Sequence, residues 1–166
     1  MASPLNQTWL LAACAAATTC FWVCAEPPGD ETLVPKDYRK WTHLKSAVIG
    51  AKSKIFEAEG GVHHIYANDK AMEVLRTGKY PEGACLVYDL LEMKEADGVA
   101  IEGTRRRIDV MVKNPERGKE SGGWDFRRFI ADNWRVDVLT PNERTDCFKC
   151  NTRQKTKDYV FSTFRK

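Results

Sequence analysis

The chain has 166 residues, and Lys+Arg 26 against Asp+Glu 23 leave a formal charge of +3. That length favours one domain, and so small a basic surplus gives no ground for a nucleic-acid binder. With 30% charged and 43% hydrophobic residues, and ordinary numbers of Gly (11) and Pro (7), disordered, collagen-like and low-complexity classes are excluded as well.

Residues 1–25 contain no Lys, Arg, Asp, Glu or His. Trp9 to Ala17 is an apolar run of signal-peptide length, and Val23-Cys24-Ala25 puts small residues where a signal peptidase reads. The sequence therefore predicts a cleaved signal peptide over 1–25 and a periplasmic or secreted mature protein, although the usual basic n-region is missing. An uncleaved anchor would need a longer apolar core, nearer ~20 residues. Leu11-Ala12-Ala13-Cys14 has the form of a lipoprotein cleavage box but sits unusually early. Cleavage removes Cys14, Cys20 and Cys24 and leaves Cys85, Cys147 and Cys150, too few for a disulfide framework. The acidic, Pro-rich stretch 26–34 reads as a linker into a domain over 35–166.

Pro35 to Trp41 suits a short helix, with Pro in the first turn and Tyr38 and Trp41 on one face. Leu44–Ile49 and Val62–Ala67 are rich in β-branched residues and read as strands. Asn68–Thr77 reads as a helix, capped by Asn68, apolar at Ala71, Met72, Val74 and Leu75, and stopped by Gly78. After the turn Tyr80-Pro81-Glu82-Gly83, the near-continuous apolar run Ala84–Glu92 predicts a strand covered on both faces. Arg105–Val112 alternates, with Ile108, Val110 and Val112 opposite Arg107 and Asp109, and Asn114–Gly118 ends it. Trp124–Ile130 is a further strand, with Trp124, Phe126 and Arg128 on one side. Residues 133–143 read as loop, and the aromatic segment 158–164 as strand or helical turn. Strands joined by hairpin-like turns, with few helices, argue an α+β fold built on an antiparallel sheet. Neither a Gly-x-Gly-x-x-Gly nor a phosphate loop is present.

Cys147-Phe148-Lys149-Cys150-Asn151 carries the most chemistry. Two cysteines three apart lie on one side of a helical turn, so both sulfurs reach one object. In c-type cytochromes that object is haem, and the next residue, a histidine, supplies an imidazole to the iron. Here it is Asn151, whose amide lacks a basic nitrogen. A disulfide, a dithiol and a metal site remain open for the same pair, although zinc would need about four ligands.

Around this motif the chain resembles the cytochrome P-460 family. The stretches that carry the resemblance are Pro35–Trp41, His64–Asn68, Thr77–Gly83, Val110–Lys113, Gly122–Phe126 and Cys147–Phe161, in matching order across about 33–164. The resemblance implies exported c-type haem proteins acting on hydroxylamine or nitric oxide. Their fold is a curved antiparallel sheet with helices packed on it, commonly dimeric, with the haem against the sheet. It implies that Cys147 and Cys150 bind haem c and that Asn151 occupies the proximal ligand position. Tyr88 falls where hydroxylamine-oxidising members cross-link a lysine to the haem. Both departures count against full hydroxylamine oxidation. The expected function is therefore a haem protein that binds or converts a small nitrogen-oxide ligand through an altered iron site, working as a homodimer with a redox partner protein. Whether it is an oxidoreductase stays open. The alternative is a haem-free binding or structural protein of the same fold with a Cys147–Cys150 disulfide.

The remaining candidates read as structural. His63 and His64 are adjacent on a strand and point to opposite faces, and His43 lies in no ligand spacing. Arg105-Arg106-Arg107 and Lys149/Arg153/Lys155/Lys157 are basic clusters that haem propionates or an anionic partner could use, though exposed basic residues usually have no such task. Tyr66, Tyr88, Trp124, Phe126 and Phe161 are expected in the core.

Overall fold

The computed structural model of the chain describes residues 33–164. The predicted signal peptide, its three cysteines and residues 26–32 of the linker lie outside them. Among the described residues no helix is long and apolar enough to cross a membrane.

Five strands form one antiparallel sheet in sequence order: β1 (Thr42–Ile49), β2 (Gly61–Ala67), β3 (Cys85–Ala96), β4 (Val99–Lys113) and β5 (Trp124–Ile130). The helical pieces are α1 (Phe56–Glu59), α2 (Asp69–Met72), α3 (Val74–Thr77) and α4 (Pro141–Asn151), with 3-10 turns at Tyr38–Lys40 and Thr152–Lys157. This is the expected α+β architecture.

Several elements differ from the sequence expectation in extent. β3 and β4 run past Glu92 and begin before Arg105 because Asp97-Gly98 closes them into a hairpin, with φ of 53° and 77°. Positive φ at both central residues is what a two-residue hairpin turn demands. The helix expected over Asn68–Thr77 is divided at Glu73 into α2 and α3. Its ends are as predicted: the Asn68 side chain accepts from the Ala71 amide at 2.9 Å, and Gly78 closes α3 at φ 74°. α4 begins at Pro141, inside the segment read as loop. The segment 160–164 forms neither strand nor helix, since Asp158 and Tyr159 turn the backbone at φ 51° and 65°.

Apolar residues cover both faces of the sheet. On one face Leu86, Trp124 and Phe126 pack with Ala67, Ala71, Tyr80, Leu139 and Val160, so the helices and the C-terminal segment sit there. On the other, Cys85, Val87, Ile108, Val110 and Phe129 pack with Val34 and Tyr38. β3 contributes to both clusters, as its continuous apolar run implied. Val34, the last residue of the expected linker, is wholly buried.

The second face holds a buried carboxylate. Asp89 is fully buried and accepts from Tyr38 Oη (2.7 Å), Arg39 Nη2 (2.8 Å) and Arg105 Nε (2.7 Å). Burial alone would push its carboxyl up. The hydrogen bonds from Arg105, Tyr38 and Arg39 outweigh this and hold it below the usual carboxylate range. The network fastens the segment before β1 onto the sheet.

The Arg105–Arg107 run is tied into the fold. Arg105 serves Asp89, Arg106 donates to the Gly60 and Glu57 carbonyls, and Arg107 is buried. Of the aromatics, Trp124 and Phe126 are core, Tyr66 and Tyr88 are partly buried, and Phe161 is 45% exposed.

Candidate functional site

The strand register lays out the helix-bearing face in rows, because cross-strand partners share a face. One row runs Ile65, Tyr88, Asp109, Arg128, and the next runs His63, Leu90, Arg107, Ile130. Neighbours within a row are about 4.8 Å apart. α4 lies against this face, with Cys147 and Phe148 packed on its apolar cluster.

α4 starts where the sequence stops it from starting earlier. Thr140 caps it, Pro141 fills the first turn, and Glu143 completes a capping box, its carboxylate accepting from the Thr140 amide at 2.8 Å. The helix then carries Cys147 and Cys150 through one turn. Cys147 is half-buried towards the sheet, within electrostatic reach of Arg128, Asp109 and Arg107, and burial pushes its thiol up. Cys150 is exposed, with Arg153 Nη2 2.9 Å from its sulfur. Both thiols are free, as is Cys85, which is buried on the opposite face and pushed up to about 12.

Asn151 ends α4. Its Nδ2 donates to the Cys147 carbonyl at 2.8 Å, so the amide is folded back onto its own helix. Tyr88 stands on the helix-bearing face, and its hydroxyl donates to Glu59 Oε2 at 2.9 Å. Burial and the Glu59 charge both push the phenol up, so it stays protonated.

Sequence reasoning missed the charged wall around these residues. Arg107 pairs with Glu59 (2.6 Å) and Asp109 (2.9 Å), and Arg128 pairs with Asp109 (2.6 Å). Glu59 comes from α1, a four-residue helix with no periodic signal, so only the alternation of Arg107 and Asp109 pointed here. His63 completes the wall. It is 7% exposed, its ring stacks on Tyr88 at 4.7 Å, and its Nδ1 has no hydrogen-bond partner among the described residues. Burial, followed by the charge of Lys45, lowers its pKa and keeps the imidazole neutral.

The donor set tests whether haem c suits these residues. Two free thiols on one helix turn fit thioether attachment. An orphaned, neutral imidazole nitrogen on the same sheet face fits a nitrogen donor. Asn151 fits less well, since an amide is a poor donor and its nitrogen is engaged. Tyr88, expected from the resemblance at the cross-linking lysine's position, offers a phenol and not an amine.

A five-stranded antiparallel sheet with a C-x-x-C helix laid on one face defines a small α+β protein. The chain matches the Cytochrome P460 model across residues 35–162 and belongs to the cytochrome P460 family. No curated protein matches it.

Proposed function

We propose that this is an exported haem protein that binds or converts hydroxylamine or nitric oxide at an altered iron site. The observation that carries the reading is the pair of free thiols, Cys147 and Cys150, on one turn of α4 against the sheet face in a chain of this family.

Cys147 and Cys150 would hold the macrocycle, and iron bound there would supply an open coordination position and electron transfer. The protein's own residues do the rest. His63 presents an unpaired, neutral nitrogen from the sheet, the donor this chain offers where Asn151 offers none. Arg107 and Arg128 stand on the same face, each paired with a carboxylate, so the wall offers guanidinium donors without a net positive charge. Tyr88 keeps its proton and donates to Glu59, so the position that the resemblance gives to the family's cross-linking lysine carries no amine. A reaction that relies on that cross-link is not expected, and binding or partial conversion of the nitrogen oxide is.

Expression of the full chain with a cytochrome c maturation system, followed by a pyridine haemochrome spectrum, tests the proposal. Covalently bound haem with two thioether-modified sulfurs is expected. A second reading, a haem-free protein with a Cys147–Cys150 disulfide, is favoured by the folded-back Asn151 amide. Thiol counting with and without reductant that finds this disulfide and no haem would replace the first reading with the second.

A further inference from the structure

The opposite face of the sheet carries a second cluster of donors that the haem reading does not use. His43, Ser46 and His64 meet at its β1 edge. His43 Nε2 lies 2.9 Å from Ser46 Oγ, and His64 Nδ1 lies 2.6 Å from the same oxygen. The two rings are 5.9 Å apart, and both lie near the Tyr66 ring, at 5.4 and 6.4 Å. The chain has three histidines, and two of them converge on this one point.

A backbone irregularity makes the convergence. His43 and Ser46 are three residues apart, and on a regular strand they would face opposite ways. The register shifts between His43 and Lys45: His43 pairs with Tyr66, whereas Ser46 pairs with His64. The extra residue, Leu44, turns inward and is buried in the core of the other face. The bulge thereby brings His43 onto the face of His64, a common use of bulges beside functional sites.

Two imidazole nitrogens aimed at one oxygen cannot both be satisfied by it in the same way. A hydroxyl has one proton, so one ring accepts it and the other must donate. A metal ion beside that oxygen, within reach of both nitrogens, would use both lone pairs. Glu102 Oε1 lies 2.7 Å from His64 Nε2, at ion-pair distance though not aligned as a hydrogen bond. A carboxylate against the far nitrogen of a ligating histidine is the usual outer support of a metal site, because it draws the proton to that nitrogen and frees the other. Among the described residues no three His, Cys, Asp or Glu side chains form a metal group. Two imidazoles therefore carry the site, and Ser46 Oγ and water complete it.

We propose that His43 Nε2 and His64 Nδ1 bind a divalent first-row transition ion on this exposed face, Cu2+ more tightly than Ni2+ or Zn2+. Imidazole suits these ions, and Cu2+ heads the affinity order. Zinc lies about 2.0–2.1 Å from imidazole nitrogen, closer than either nitrogen lies to Ser46 Oγ, so both rings turn inward on binding.

The test uses the full chain with its thiols alkylated, so that cysteine neither binds nor reduces the ion. Titration with Cu2+ followed by pulsed EPR is expected to give one site coupled to two imidazoles. His43→Gln and His64→Gln should each leave single-imidazole coupling and weaken binding at least tenfold. Glu102→Gln should weaken it about tenfold, the low end for outer support of a ligating histidine. A measurement on the unmutated protein avoids any folding defect: long-range nitrogen NMR with Zn2+ should show His43 bound through Nε2 and His64 through the less common Nδ1. Binding and spectra unchanged by either histidine substitution, or unshifted His43 and His64 nitrogens with Zn2+, would overturn the site and leave the cluster as a tie between β1 and β2.

Discussion

At the scale of single residues, position 151 decides how far the family's chemistry extends to this chain. The Asn151 amide spends its donor on the Cys147 carbonyl at 2.8 Å, a bond worth about 1 kcal/mol net. Asn151→His gives up that bond and supplies both a nitrogen ligand and the complete C-x-x-C-H attachment signal. The variant is expected to carry several-fold more covalent haem than the unmutated chain, read as Soret absorbance per mole of protein. Equal haem in both would mean that the space beneath α4 is already filled, since overpacking a closed site costs about 1–3 kcal/mol. The thiols, Asn151 and Tyr88 were legible in the sequence because C-x-x-C is a local pattern and Tyr88 follows from a family resemblance. Glu59, His63 as an orphaned donor, and the meeting of His43 with His64 were not. Glu59 depends on where a four-residue helix packs, the other two on cross-strand register, and the last also on a bulge that no periodicity in 42–49 announces.

At the scale of elements, boundaries set by local chemistry were readable and those set by tertiary packing were not. Asn68 and Gly78 fixed the ends of the α2–α3 stretch through a side-chain cap and a left-handed residue, whereas its break at Glu73 has no signature in composition. The β3–β4 hairpin did have one, Asp97-Gly98, but the charged and exposed strand ends beside it lack the alternation that marks a half-buried strand. α4 is the instructive case, because it carries the thiols while burying no residue completely. Such a helix relies on its cap more than a core helix does. Thr140 closes a capping box with Glu143, and hydrogen bonds from the Thr140 side chain and backbone lower the Glu143 carboxyl. Thr140→Ala is expected to destabilise the protein by about 1 kcal/mol. It should also raise amide hydrogen exchange along Pro141–Asn151 without altering exchange in β3. Unchanged protection of α4 would show that Phe148 and Cys147 hold the helix without its cap.

At the scale of the whole molecule, the two faces of the sheet store opposite kinds of buried polarity, and acid should attack them in sequence. On the helix-bearing face His63 is buried neutral. Tyr88 stacks on it, the charges that act on it are those of Lys45, Glu59, His64 and Arg107, and burial, then Lys45, lower its pKa. The unfolded chain therefore binds this proton more readily than the folded one, so stability falls as pH drops through about 6.5, the ordinary histidine value, towards the lowered folded value. On the other face Asp89 is buried charged, and the hydrogen bonds from Arg105, Tyr38 and Arg39 hold its pKa below the ordinary value despite its burial. The sign is the same but the window is lower. Its contribution is complete above about 3.9 and is lost as pH falls through the still lower folded value. Urea midpoints measured from pH 8 to pH 2 should therefore fall in two separate steps. His63→Gln should flatten the upper step. Asp89→Asn should lower stability even at neutral pH, by about 1–3 kcal/mol, because Arg105 and Arg39 lose their charged acceptor while Arg105 keeps Asp132 and Arg39 keeps solvent, and should flatten the lower step. A midpoint that stays level from pH 7 to pH 5 in the unmutated protein would show that His63 takes up its proton without loss, with Glu59 close enough to offset the cost of burial.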